Sequence, residues 1–439
     1  MALSGYAVWE VHSVANDATA SDANGGGFDS SNKGATGVDL TQGTYQAVHT
    51  FSASLSGAGT TALTDSAAGF SNTMLGNMIN IAGQGVYCIV GYTNSGHVTL
   101  DRASGTFSAA SGVVGGAFAT PGYACGLAVQ QNIIYLQNVG ADGATVYSIT
   151  SATSNVSGGC LNPTYNVVQG YTTNRTTGNT DPRPCLQLNV ASATLSPGNY
   201  YLFAGLVLDG NSQTSARAGN GLCNYYNCLF KKFNTASGSA SLFVACAATL
   251  NSAAVFVGTS FACESYANSA MIFSGTGSTI DCVAYGNTAS GFNVSLQCIG
   301  CVAYGNTGSS SDGFVNTGGQ SVGVLVNCIA ENNGRYGFNV LGGKVLANCS
   351  AYNNTSGNSI DARLVNLGFV PVTVGSVFAA PGSNNFALNN LANRGALLRA
   401  AGFPATSVDG ASANYLDIGA FQHQDSGGGA SVVIPVEEW

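Results

Sequence analysis

Cys282-Val-Ala-Tyr-Gly-Asn287 and Cys301-Val-Ala-Tyr-Gly-Asn306 are the same six residues written twice, 19 residues apart. Three variants flank them: Cys263-Glu-Ser-Tyr-Ala-Asn268, Cys328-Ile-Ala-Glu-Asn-Asn333 and Cys349-Ser-Ala-Tyr-Asn-Asn354. Every copy starts with Cys and reaches Asn five residues later, four of the five carry Tyr at the fourth place, and successive copies start 19, 19, 27 and 21 residues apart. A period of about twenty residues, made of short strand-like runs and Asn/Gly corners, is that of a solenoid whose coils bury their apolar faces only against their neighbours. The phrase therefore predicts an all-β chain wound as a parallel β-helix.

The coil has an internal logic. Cys282 and Ala284 alternate with Val283 and Tyr285, the period of two of a strand with one face inward. That alternation places Cys263, Cys282, Cys301, Cys328 and Cys349 in an inward ladder. Gly286-Asn287 then turns the chain; Asn tolerates left-handed backbone angles, and its amide can bond the Asn of the next coil. Asn268, Asn287, Asn306, Asn333 and Asn354 are thus expected to stack as a polar ladder at one corner. Phe292 and Phe338 each lie ten residues after their Cys, which predicts an aromatic stack. The extra residues 308–312 are expected to leave as a surface loop. Tyr285, Tyr304 and Tyr352 are expected to point outward as a stripe able to stack on sugar rings or on another subunit, or else to lie under a loop.

Composition excludes several classes. Charged residues make up 7% and apolar residues 45% of the chain, whereas disordered chains combine high charge with low hydrophobicity. No apolar run approaches eighteen residues, so no membrane span is expected. Net charge is −8 and the twelve basic residues are scattered, only Lys231-Lys232 being adjacent, which disfavours a nucleic-acid partner. The first ten residues lack the basic start and apolar core of a secretory signal, so export by that route is not expected. Thirteen Cys in that setting favour buried thiols over a disulfide framework. Geometry leaves both open, because the spacing of neighbouring coils, about 4.8 Å, overlaps disulfide Cα separations. Cys298-Ile-Gly-Cys301 has no second pair and no nearby His to complete a zinc site, and no cofactor motif is present.

Residues 1–45 read as an N-terminal cap and solenoid start, with Trp9 placed to seal the first coil; residues 46–118 read as a small inserted β domain, because strands such as Met78-Ile-Asn-Ile81 lack the coil repeat. Residues 119–368 read as the β-helix proper, and residues 369–439 as a C-terminal cap and attachment tail. A short helix is expected between Ala392 and Ala401. The tail contains the spacer Gly427-Gly-Gly429 followed by Val432-Val-Ile-Pro-Val436.

The phrases Cys-x-Ala-Tyr-Gly-Asn-Thr and Gly-Phe-Asn-Val resemble the repeats of right-handed parallel β-helix proteins of the pectate-lyase-like architecture, over roughly residues 120–365. Tyr415-Leu-Asp-Ile-Gly-Ala-Phe-Gln-His423 is similar to a segment that often ends β-helix proteins of bacterial surfaces and tailed bacteriophages. With the Trp9-Glu10 opening and Asn24-Gly-Gly-Gly27, the chain looks most like a phage virion β-helix protein. That resemblance implies a tail fibre, a tailspike or a capsid decoration, located in the virion, contacting other virion proteins, assembled as a homo-oligomer, often a trimer, and in some members binding or cleaving host surface glycans. The alternatives it leaves are a tailspike-type glycan lyase or hydrolase and a bacterial surface or extracellular fibre subunit.

No enzyme family's motif is matched, so the resemblance transfers no catalytic residue. Glycan cleavage needs carboxylates on one face at a set separation, or a carboxylate cluster holding calcium beside a base. The coils offer Glu264, Asp281, Asp312, Glu331 and Asp361, with Arg335 and Lys344 as bases. Glu331, Asp281 and Glu264 are the candidates, but Glu264 follows its Cys, Asp281 precedes its Cys, and Glu331 takes the Tyr place, so they need not share a groove. Glu331 with Arg335 is otherwise an exposed charge pair, Asp209 a turn residue and His423 a surface residue.

Overall fold

The computed structural model describes residues 8–11, 27–28, 49–115 and 120–420 apart from interior segments, the longest being 151–164, 172–181 and 403–416. The expectations for the Trp9 side chain and for residues 24–26, Lys344, Asp361, Tyr415, His423 and residues 427–439 lie outside the described residues. The chain forms two compact units, Met1–Asn234 and Thr235–Trp439.

In the first unit, Val8–Val11 runs parallel to Ile133–Gln137, so the chain starts a coil, leaves it, and resumes one coil later. Between them, His49–Ala58, Ala62–Asp65, His97–Leu100, Gly85–Asn94, Met78–Ile81 and Thr106–Gly115 close a barrel in that order. Phe51, Leu55, Leu63, Ile79, Ile89, Leu100 and Val114 fill it, as the alternation of each strand requires. The coils then stack Ile133–Gln137, Asn166–Tyr171, Tyr201–Ala204 and Cys223–Tyr226 in parallel register as one wall. Val146–Ile149, Cys185–Leu188, Val207–Asp209 and Leu229–Lys231 form a second. Tyr201, Phe203 and Tyr225 stack inside, with ring centroids 5.8 and 5.3 Å apart.

The second unit has three walls. The first stacks Gly258–Phe261, Ser278–Ile280, Gln297–Ile299, Val324–Val326 and Val345–Ala347. The second stacks Glu264–Tyr266, Val283–Tyr285, Val302–Tyr304, Ile329–Glu331 and Ser350–Tyr352 in strict register, repeat phrase upon repeat phrase. The third stacks Phe292–Asn293, Phe314–Val315, Tyr336–Asn339 and Gly357–Ser359. These stacks are the walls of a right-handed parallel β-helix, the hand that right-twisted strands impose on parallel crossovers.

Single residues in the left-handed conformation make the bends. One stands just before each repeat Cys: Ala262, Asp281, Gly300, Asn327 and Asn348. Another stands just before each ladder Asn: Ala267, Gly286, Gly305, Asn332 and Asn353. The left-handed angles at the second corner thus belong to the preceding residue, whereas the sequence reading gave that role to the ladder Asn as well. The ladder Asn has a different task.

Its side chain points into the coil and links coils. Asn306 Oδ1 accepts from the Asn287 backbone N–H at 3.2 Å and from Asn287 Nδ2 at 2.9 Å. Asn306 Nδ2 in turn donates to Asn333 Oδ1 at 2.8 Å and to the Ala284 carbonyl at 3.1 Å. The same pattern joins Asn268 to Asn287 and Asn333 to Asn354. It also reaches Asn251, whose Nδ2 donates to Asn268 Oδ1 at 3.0 Å. Cys246-Ala-Ala-Thr-Leu-Asn251 keeps the five-residue spacing from Cys to Asn; the spacing, without Tyr, was the signal for this sixth rung.

The cysteines of the repeat are buried free thiols. Burial pushes the Cys263 and Cys328 thiols up, so they are neutral core groups. The aromatic stack is longer than the two phenylalanines that announced it. Phe292 and Phe314 lie 4.9 Å apart at 11°, Phe314 and Phe338 5.0 Å apart at 13°, and Phe273, Phe256 and Phe243 continue the row. The insertion at 308–312 is only partly a surface loop, because Ser311 and Asp312 turn back and are buried.

After Val365–Leu367 the chain turns back along the second wall. It forms an antiparallel hairpin of Phe378–Ala380 with Asn385–Leu388 and a short helix, Gly395–Leu398, inside the expected helical stretch.

Candidate functional site

The outward residues of the second wall fall in two rows. One holds Val283, Val302 and Ile329, and the other holds Tyr285, Tyr304, Glu331 and Tyr352. The alternation that buries Cys and Ala inside dictates this. The returning segment, residues 372–401 with 417–420, covers both rows as a strap. Val372, Val377, Phe378, Phe386, Leu388, Leu398 and Ile418 form one core with Val283, Val302 and Ile329, against which Tyr285, Tyr304 and Tyr352 pack. Full burial of Val302 and Ile329 contributes about 1.5–3 kcal/mol each.

The tyrosine stripe therefore points outward but is not an open row. Phe386 lies 5.0 Å from Tyr285 and 5.4 Å from Tyr304, and Phe378 meets Tyr304 edge-on at 5.8 Å. The covering segment is the chain's own, the second of the two outcomes that the sequence left open. Tyr266, at the margin, stacks on Tyr285 at 5.5 Å. Burial and a hydrogen bond to Glu264 push the Tyr285 phenol up.

The acidic candidates go to different places. Glu331 has no exposed surface; its carboxylate accepts from the Val377 backbone N–H at 3.1 Å, from Asn332 Nδ2 at 3.3 Å and from the Ser376 hydroxyl. Burial pushes its carboxyl above the usual range, against the two strap donors. The expected exposed pair of Glu331 with Arg335 does not form. Arg335 instead grips the buried Asp312 with both prongs, through Nε to Oδ1 at 2.8 Å and through Nη2 to Oδ2. Asp312 also accepts from the Tyr336 backbone N–H at 3.1 Å and from Asn339 Nδ2 at 2.8 Å. The reason is geometric: Glu331 sits on a strand whose outer face is sealed, whereas Arg335 has passed the corner.

Asp281 occupies the left-handed corner before Cys282, exposed to solvent, with its carboxylate beside the backbone of Gly300. Partial loss of hydration against that backbone raises its carboxyl. Glu264 stays on the wall itself, beside Tyr285. In the first unit, Asp209 makes the expected turn bond, accepting from the Asn211 N–H at 2.7 Å. It is also buried against Lys231 and Gln187, each at 3.3 Å. Sequence spacing held no sign of that pairing, because Gln187, Asp209 and Lys231 meet only through coil register.

The chemistry of this arrangement is mainly cohesive. Glu331, Asp312 and Asp209 are each engaged by donors of their own coils or strap, while Asp281 sits at a corner before the second wall and Glu264 on a strand of it. Among the described residues no three His, Cys, Asp or Glu converge as a metal cluster. Among the described residues no helix is long and apolar enough to cross a membrane.

No protein-family model and no curated protein matches the chain. Among solved structures, the crystal structure of pectate lyase Pel9A is similar, at 16% identity and a TM-score of 0.40, over 71% of this chain and 92% of that one. The fold itself rests on the strand registers of this chain.

Proposed function

We propose that the chain is a structural component of a tailed-phage virion, a tail fibre, tailspike-like or capsid decoration protein whose β-helix is a stiff stem. The observation that carries the structural reading is the self-sealing of the coils: the amide ladder, the phenylalanine stack and the strap direct the repeat's side chains to one another. A groove for cleaving glycan needs carboxylates left available to substrate, and Glu331 and Asp312 are committed to the wall. The phage assignment draws its support from the resemblance of the closing segment around 415–423. On this reading the partners are other virion proteins and further copies of the chain, and a host surface glycan is a ligand rather than a substrate.

Cryo-EM of the native particle or fibre at side-chain resolution tests it. Symmetric copies on a capsid or tail support the virion reading. A free filament joined end to end on cells without phage overturns it in favour of a bacterial fibre subunit. Release of oligosaccharides from capsular glycan by the purified chain overturns the structural reading in favour of a lyase or hydrolase.

A further inference from the structure

The strap is attached to the coils by an apolar core and by a few polar contacts. Most of the latter join neutral groups: Ser350 Oγ donates to the Val370 carbonyl at 2.8 Å, Gly419 N–H to the Asn327 carbonyl at 2.7 Å, and Asn348 Nδ2 to the Ala401 carbonyl at 2.5 Å. The contact at the centre is different. Glu331 breaks the tyrosine row with a carboxylic acid of zero exposure, directly beneath Val377 and Ser376 and between Tyr304 and Tyr352 in register. We propose that Glu331 makes the strap a pH-sensitive latch, closed on the tyrosine face in acid and loosened as the medium becomes alkaline.

The argument is electrostatic. A buried carboxylate needs a cation or several donors to remain charged. Glu331 has donors from Val377, Ser376 and Asn332, and among the described residues no cation lies within ion-pair distance. Arg335, the cation nearest in sequence, is committed to Asp312. On the strap, Arg399 Nη2 is held by the Leu388 carbonyl and Arg394 lies beside Gly375. The other titratable groups facing this region are Tyr285, Tyr304 and Tyr352 from the wall, with Glu264 beside Tyr285, and Asp417 from the strap, while Asp281 lies exposed at the corner beside Gly300. Nothing in this set supplies positive charge to the Glu331 oxygens.

The sign follows from the direction in which burial moves the acid. Burial raises the Glu331 carboxyl in the docked state above its free value of 4.5. Docking is then strongest below that free value and weakens as pH rises through the docked-state value. Every tenfold by which docking strengthens proton binding at the carboxyl weakens docking about tenfold once the proton is lost. Loosening uncovers Val283, Val302, Tyr285 and Tyr304, an apolar and aromatic surface bordered by the carboxylates of Glu331 and Glu264. The latch is independent of whether the chain belongs to a virion.

Hydrogen exchange of the full chain between pH 5 and pH 8.5, corrected for the intrinsic pH dependence of exchange, tests this. The Val377 and Phe378 amides should lose protection about tenfold or more, while the amides of Asn287 and Asn306 on the ladder corner hold theirs. Glu331→Gln, which keeps the shape and removes the charge, should abolish the pH dependence. Ser376→Ala removes a donor to the carboxylate and should move the midpoint to higher pH. A flat wild-type profile, an unchanged profile in Glu331→Gln, or a midpoint unmoved by Ser376→Ala overturns the proposal. Loss of the dependence in Asp281→Asn with its retention in Glu331→Gln overturns the assignment to Glu331.

Discussion

Replacing Asn306 by Ala removes the middle link of the amide ladder, and the structure sets the size of the effect. Asn306 is fully buried and makes four contacts between coils: it accepts from Asn287 N–H and Asn287 Nδ2, and donates to the Ala284 carbonyl and Asn333 Oδ1. The substitution strands two buried donors and deprives two acceptors, in a space too tight for compensation by bulk water. At about 1–3 kcal/mol for each stranded donor, the expected loss is about 4 kcal/mol. Because solenoid stability is nearly a sum of local terms, the loss should be read locally rather than from a single global transition. Native-state hydrogen exchange of Thr307 N–H and Gly334 N–H, which bond the Asn287 and Asn306 carbonyls at 2.7 Å, is the assay. About 4 kcal/mol corresponds to roughly a thousandfold faster exchange. The control is Asn353→Ala, which removes an exposed bond from Asn353 Nδ2 to Asn332 Oδ1 at 2.7 Å at a left-handed corner and should cost only about 1 kcal/mol, chiefly from the backbone. Asn306→Asp sharpens the test: it keeps the acceptor but turns an oxygen toward the Ala284 carbonyl and Asn333 Oδ1, so at neutral pH it should be worse than Ala. Protonation restores one donor, so its stability should recover as pH falls through the raised folded-state pKa and be lost again as pH rises. A cost below about 1 kcal/mol for Asn306→Ala, or one equal to that of Asn353→Ala, refutes the claim that the ladder holds the coils together.

Other outcomes follow from the same structure. Arg335→Ala leaves the Asp312 carboxylate buried with only neutral donors and should cost about 3–5 kcal/mol in thermal or urea unfolding, with part of the loss recovered by adding Asp312→Asn. Phe314→Ala opens a gap between Phe292 and Phe338 and should cost about 3–5 kcal/mol, with Phe314→Leu costing clearly less, as measured by exchange of the third-wall amides. Since the coil cysteines are buried free thiols, a reducing agent should leave the melting temperature unchanged, and thiol reagents should react only after denaturant is added.

The repeat phrase was enough to place the coils because each of its letters answers to a separate physical demand. Cys and Ala alternate with Val and Tyr because a strand has two faces, and Asn recurs because a buried corner must satisfy its amides. Those demands are local, so they are visible in sequence. Glu331 shows where locality ends. Its place in the phrase says that it points outward, and an outward acid on a strand is ordinarily a solvated charge, which is why pairing with Arg335 four residues later was the natural expectation. Whether outward means solvent depends on a segment some fifty residues away in the chain, whose Val377 N–H binds the carboxylate. The same distant segment turns the tyrosine stripe from a surface into an interior.

That segment did carry a signal, though of a kind the repeat cannot express. Val372, Val377, Phe378, Phe386, Leu388 and Leu398 are too apolar for an attachment tail in water, and their burial needs an apolar partner of matching extent. In the coils, the outward places of the second wall carry Val283, Val302 and Ile329 where a solvated parallel wall would carry polar residues. Two such surfaces in one chain, each unable to face water alone, imply each other. The outward places of a wall in the first unit are mixed: Gln187, Asp209 and Lys231 satisfy one another through salt bridge and hydrogen bond, while Cys185 and Val207 beside them are buried next to Gly143. The side chains at the outward places of a coil, rather than the repeat that builds it, therefore decide whether that wall needs a cover. In this chain, a single acid among them decides how the cover responds to pH.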